Sequence, residues 1–211
     1  MKYALMIAAG LAIAPLSVAQ AATTVTAEAA TNPYSGPTPT YDFSTVAPIV
    51  GGEYRTGNST ESSQPFGTDN PYYAVGPALG TPAVLTLSQF ANVPFVSLSW
   101  GSVDTSNTLE VLGRAGEVLA TVTGTQIQGI VGTAGQFFAR GALVRLTFDG
   151  GTEDNIGALR FSSRNNSFEI DNIAVAPVPE PGVWAMMLLG FAMAGFSLRR
   201  KAKTTVRVRY A

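Results

Sequence analysis

Through the middle of the chain, short apolar runs alternate with polar residues at period two, and no stretch sustains a helical period of 3.6. Runs bounded by Gly, Asn and Asp fall at 83–87, 94–100, 108–112, 118–122, 126–130, 143–148, 156–161 and 168–175. Eight predicted strands at this spacing indicate an all-β protein, a β-sandwich of jelly-roll type. Val144, Leu146 and Phe148 alternate with Arg145 and Thr147, as a half-buried strand requires. Arg114-Ala115-Gly116 separates two such runs and predicts a tight hairpin. In the last run, Phe168 and Ile170 share one parity while Ile173 and Val175 share the other. Both pairs can face a core only if an extra residue is inserted near Asp171-Asn172, so a β-bulge or a change of sheet is predicted there.

Outside these runs the pattern changes. Residues 22–40 are rich in Thr, Ala and Pro without an apolar period and read as a flexible lead-in, leaving 41–176 as the β-domain. Residues 56–72 have loop composition throughout. The first 21 residues join a basic start (Met1-Lys2), an uncharged run from Tyr3 to Val18 and a small-x-small site at Ala19-Gln20-Ala21. That is the organisation of a secretory signal peptide, with cleavage predicted after Ala21. The last segment, 177–211, contains sixteen uncharged residues from Val183 to Leu198 followed by Arg199, Arg200 and Lys201. As a helix this run covers about 24 Å. It is expected to form one C-terminal transmembrane helix over about 183–198, completed by snorkelling of the basic cluster. The positive-inside rule puts the basic tail in the cytoplasm.

Composition removes much enzymology. The chain has no Cys and no His, which excludes disulfide scaffolds, thiolate or imidazole metal sites and Ser-His-Asp or Cys-His catalysis. The net charge of −1 conceals a segregation. Lysine occurs only at positions 2, 201 and 203, and six of the thirteen basic residues follow Leu198. Residues 22–177 carry six Arg against thirteen acids, a net of −7. An acidic, Lys-free body offers no electrostatic footprint for nucleic acid.

Pro179-Glu180-Pro181, the Trp184-Ala185 pair, the Gly-containing apolar run and the Arg199-Arg200-Lys201 cluster occur in that order. Together they closely resemble the PEP-CTERM sorting signal, in its PEPxxWA form. The resemblance implies an exosortase as partner, a membrane protease-transpeptidase that removes the helix. It also implies a transient stay in the inner membrane and delivery to the cell surface or extracellular matrix of a Gram-negative, exopolysaccharide-producing bacterium. The family tail usually stops soon after its basic cluster, whereas here Ala202 to Ala211 continue. The same tail is sometimes labelled after ice-binding proteins, but residues 22–177 show no short repeat of the kind a flat ice-binding array needs. Two patches of the body, Trp100 to Leu109 and Ser167 to Val175, resemble segments of other PEP-CTERM surface domains. Those domains are similar to jelly-roll folds of the carbohydrate-binding-module kind.

Candidate chemistry in the body is sparse. Hydrolysis of a glycoside needs two facing carboxylates, one with a raised pKa; the candidates are Asp104, Glu110, Glu169 and Asp171. Glu110 and Glu169 alternate with apolar neighbours, which assigns them to exposed polar strand faces, so no enzyme is expected. Asp149, Glu153 and Asp154 gather hard oxygen ligands in a predicted turn, and Asp171 sits at the predicted bulge; these are the candidates for a structural calcium, the one cofactor considered. Tyr72, Tyr73 and Trp100, with Tyr54, are candidates for a sugar-stacking platform, although Trp100 ends an apolar run as a core residue would. The expected function is that of a non-enzymatic, exosortase-sorted surface or matrix protein associated with exopolysaccharide. The alternatives are a lectin-like carbohydrate-binding module and, third, an anchored glycoside hydrolase.

Overall fold

A computed structural model of the chain describes residues 23–69, 71–132, 141–149, 151–176, 181–200 and 209. Within them the alternating runs form two antiparallel sheets. The larger has the order β1 (Thr23–Ala29), β9 (Ala142–Phe148), β6 (Phe95–Trp100), β11 (Phe168–Ala176), β4 (Tyr72–Val75) and β3 (Glu53–Arg55). The smaller has the order β2 (Ile49–Val50), β5 (Ala83–Thr86), β10 (Ile156–Ser163), β7 (Asn107–Gly113) and β8 (Val118–Thr123). One apolar cluster joins their inner faces, with Leu98, Val144, Leu146 and Ile170 from the larger sheet against Leu85, Leu109, Leu159 and Phe161 from the smaller. Each such burial removes a large apolar side chain from water and is worth about 1.5–3 kcal/mol. Trp100 stacks on Phe168 with ring centroids 4.2 Å apart, and Phe161 meets Phe168 edge-on at 5.5 Å, bridging the sheets. The architecture is an all-β sandwich.

Seven of the eight predicted strands are strands. The hairpin at Arg114-Ala115-Gly116 joins β7 to β8, with Gly116 at φ +89° supplying the left-handed turn residue. The predicted bulge is also present: Asp171 pairs with Ser99 and Ala174 with Ser97, so Asn172 and Ile173 together face Leu98 alone. Asn172 takes φ +49°, a left-handed conformation that Asn tolerates better than most residues. The extra residue turns both Ile170 and Ile173 into the core.

Three expectations are corrected. Residues 126–130 are not a strand but lie in helix α1 (Gly124–Val131), capped by the Thr123 hydroxyl, which accepts from the Gln126 N–H at 3.2 Å. The Gln-Ile-Gln spacing imitates a strand, but Ile127 is the residue buried, and Ile127 with Val131 forms a helical i, i+4 pair against the core. Residues 23–29, expected within a flexible lead-in, form edge strand β1, in register with β9 from Thr23↔Phe148 to Ala29↔Ala142. Tyr72, expected at the end of a long loop, begins β4.

The middle of the outer face of the larger sheet does not face solvent. Ser97, Ser99, Glu169 and Asp171 point to it and are nonetheless buried. Two segments cover it. Tyr34 lies beside Ser97 and within range of the charges on Arg145 and Asp171. The 56–69 loop packs on the lead-in closely enough that a side chain at Gly67 would strike the Thr31 carbonyl at 1.9 Å. Tyr72, Ala74 and Leu79 form a small second apolar cluster under this cover. The Tyr72 hydroxyl donates to the Gly57 carbonyl at 2.9 Å and accepts from Ser62 at 2.8 Å, tying loop to sheet.

A candidate binding pocket where three strands change sheet

At one end of the sandwich, three connections carry the chain from one sheet to the other: 76–82 from β4 to β5, 101–106 from β6 to β7, and 164–167 from β10 to β11. Together with residues 59–63 of the covering loop they enclose a pocket of about 390 Å³, within the roughly 300–1,000 Å³ of small-molecule sites. Its walls are hydroxyls, amides and carboxylates, relieved by Pro77, Ala78 and Leu79 on one side.

Glu169 is the buried acid of this pocket, 1% exposed. Its Oε2 accepts from the Ser102 hydroxyl at 2.5 Å, and its Oε1 accepts from the Ser63 backbone N–H at 3.1 Å and from the Ser167 hydroxyl. Every donor is neutral, and Glu169 has no ion-pair partner among the described residues. Burial pushes its pKa up, opposed by the hydrogen bonds from Ser102, Ser167 and Ser63. Backbone geometry brings the two connections together: Gly101 N–H donates to the Glu169 carbonyl at 2.8 Å, and a Cβ at Gly101 would lie 2.6 Å from the Glu169 Cβ. Only glycine permits that approach. Asp104 enters from the same connection and accepts from Asn166 Nδ2 at 3.3 Å. The connection is stiffened by Asn107, whose Nδ2 donates to the Ser102 carbonyl at 3.0 Å, and by α1, whose Gln128 donates to the Val103 carbonyl at 2.6 Å. Thus the two patches of the body singled out in the sequence, Trp100 to Leu109 and Ser167 to Val175, meet at one cavity.

The individual sequence candidates fall as follows. Asp104 and Glu169 share the pocket. Glu169 is not on an exposed strand face, as its alternation suggested, because the covering loop closes over it. Glu110 lies on the outer face of the smaller sheet, opposite Arg160 in register and 2.6 Å from it. Asp171 is fully buried beneath the covered face; burial pushes its pKa up to about 7, opposed by the Asn172 N–H and the Thr68 hydroxyl. The calcium candidates do not converge: Glu153 accepts from its own turn at Gly151, Asp154 accepts from Asn92 at 2.8 Å, Asp149 lies at the start of that turn, and Asp171 is on another strand. Among the described residues no three acids form a group able to hold a metal ion.

The stacking platform is corrected. Tyr72, Tyr73 and Trp100 are all buried, and on opposite faces of the sheet: Tyr73 and Trp100 belong to the main core and Tyr72 to the small outer cluster. Tyr54 alone is partly exposed, packed edge-on against Tyr73 at 5.0 Å, with its hydroxyl accepting from the Ala47 N–H. None of the three buried rings offers a face to a sugar. Sequence reasoning missed the donors that hold Glu169: the Ser102 and Ser167 hydroxyls and the Ser63 backbone N–H, the last of which lies 106 residues away along the chain.

Of the tail, Pro181, Trp184, Ala185, Arg199 and Arg200 fall in helix α2 (Pro181–Arg200). Pro179, Glu180 and Lys201 lie outside the described residues, as do Ala19 and Ala21 of the predicted leader. Side chains are described for residues 186–196, all exposed and none charged. A helix stands where the transmembrane helix was expected, but among the described residues no helix is long and apolar enough to cross a membrane.

Residues 177–201 match the family model of the PEP-CTERM protein-sorting motif. The chain therefore carries that sorting motif at the position its residues indicated, and the match supports an exported protein sorted by exosortase. No curated protein and no solved structure matches the chain.

Proposed function

We propose that this protein is an exported component of the cell surface or exopolysaccharide matrix of a Gram-negative bacterium. Its non-enzymatic, jelly-roll-like sandwich is displayed after a leader ending at Ala21 and the tail following Pro179-Glu180-Pro181 have been removed. The observation that carries this reading is the sorting motif at 177–201. The helix supports it: over 186–196 it presents Met186, Leu188, Leu189, Phe191, Met193 and Phe196 to the outside on all sides. A helix apolar all round needs a partner other than water, and the inner membrane supplies one while exosortase acts. The test is the intact mass of the protein recovered from its native host, with surface, medium and membrane fractions separated. A species beginning at Ala22 and ending near Pro181 is expected. A species that retains Trp184 to Ala211 in the membrane fraction overturns the sorting reading.

A second reading, carbohydrate binding by the sandwich, is favoured by one observation: the pocket lined by Ser102, Asp104, Asn166 and Glu169. Carboxylates, amides and hydroxyls are the groups that exchange hydrogen bonds with sugar hydroxyls. The small apolar wall of Pro77 to Leu79 suits the C–H face of a pyranose. Binding here uses the end of the sandwich and not an aromatic strip on a sheet face.

A further inference from the structure

The pocket has hydroxyl-binding groups in excess, but its charge is one-sided. Of its three carboxylates, Glu61 is already paired with Arg55 at 3.0 Å. Asp104 and Glu169 have no ion-pair partner among the described residues, and no Lys or Arg is in the lining. Glu169 is the telling group, because it is buried in the wall of a cavity that remains open, and is held by two hydroxyls and one amide N–H but by no cation. Burying a carboxylate without a countercharge is costly. A fold needing only a polar tether between β11 and the 101–106 connection would be served by an amide at lower cost. The carboxylate is held in place by Gly101, by the Ser102 and Ser167 hydroxyls and by the cover of Ser63, all of which fix its orientation before any ligand arrives.

We propose that the pocket binds a saccharide bearing a free amine, an amino sugar, with Glu169 and Asp104 as the countercharge of its ammonium group and the surrounding Ser and Asn side chains as partners of its hydroxyls. This rests on the carbohydrate-binding reading and names the ligand class for that same site. An ammonium placed against Glu169 stabilises the ionised carboxylate, which burial alone disfavours, and donates it a charge-assisted hydrogen bond in a partly desolvated site. A uronate in the same place would meet like charge, and an N-acetylated sugar would offer no cation.

The test is calorimetric titration of the full chain, in detergent, with four disaccharide probes of one size: the fully deacetylated glucosamine dimer, its N-acetylated form, cellobiose and a diuronate. The amine-bearing dimer is expected to bind at least tenfold more tightly than cellobiose or the N-acetylated form, with no uptake of the diuronate. Glu169→Gln, which keeps the shape of the side chain, is expected to abolish that preference, and Asp104→Asn, on a more exposed residue, to reduce it. Equal binding of cellobiose and the amine overturns the amino-sugar assignment while leaving the carbohydrate reading in place. Amine binding that is unchanged in both variants overturns the assignment to this pocket. Binding of none of the four overturns both readings.

Discussion

Trp100 stands where core and pocket meet. Its ring is stacked on Phe168 and fully enclosed, yet its indole N–H finds no hydrogen-bond partner among the described residues. Two substitutions separate these contributions. Trp100→Ala leaves a cavity beneath both pocket connections and is expected to cost about 3–5 kcal/mol of unfolding free energy. Trp100→Phe keeps a ring against Phe168 and removes the orphaned donor, so its cost should be about 1–2 kcal/mol. Urea denaturation of the two variants measures the difference; equal losses would mean that the stacked ring contributes little beyond its indole edge. At this scale the sequence was informative about Trp100, which ends an apolar run, and misleading about Glu169. Alternation with Phe168 and Ile170 places Glu169 on the outer face, where it is, but alternation says nothing about what covers that face. The cover comes from Ser63, more than a hundred residues away, and no window along the chain contains both.

Among the elements, α1 and β1 mark the limits of pattern reading. In 124–131 the polar and apolar residues fit a short strand as well as a helix, and the feature that decides is the cap: the Thr123 hydroxyl satisfies the Gln126 N–H, one of the donors a helix start leaves free. Thr123→Ala is therefore expected to lose about 1 kcal/mol, read as a lower thermal midpoint. Because Gln128 holds the Val103 carbonyl, amides of the 101–106 connection should exchange faster in the same variant, whereas unchanged exchange would separate the helix from the pocket. In β1 the alternation of Thr23, Val25 and Ala27 is real, and Val25 and Ala27 do pack against the core. Its residues are small, so the apolar signal is weak. What makes it a strand is pairing with β9, anchored by Glu28 and Arg145 at 2.7 Å. A surface ion pair of this kind contributes only about 0–1 kcal/mol; the ladder and the two inward side chains do the rest. The bulge in β11 was the most legible irregularity, because two parities on one strand admit few geometries.

Taken as a whole, the molecule buries two acids, Glu169 and Asp171, on one covered face, and this sets how stability varies with pH. The Asp171 carboxyl is raised from 3.8 to about 7 by burial, so the folded state holds its proton more tightly than the unfolded chain. Its contribution to stability is complete below about pH 4 and is lost as the pH rises through 7, an effect of roughly 4 kcal/mol at most. Glu169 is shifted in the same direction. The urea midpoint is thus expected to fall between pH 5 and pH 8 with an unchanged slope, and Asp171→Asn to flatten most of that fall. A midpoint that rises with pH would show that these carboxyls are ionised and well solvated in the folded protein. The fold class and the sorting tail were both legible from local pattern, since strand periodicity and a short linear motif are local properties. The pocket was not, because it is made by three chain crossings that meet only once both sheets have formed.

The direction of β11 has a consequence for how the protein is presented. The strand begins at Phe168, beside the pocket, and ends at Ala176, just before the segment that leads to α2. At about 3.3 Å per residue its nine residues run close to 25–30 Å. The polypeptide thus leaves the domain at the pole opposite Glu169. In the attachment through the C-terminal segment proposed above, the domain is held at the end of β11 that lies away from Glu169, and the cavity sits at the other end of that strand.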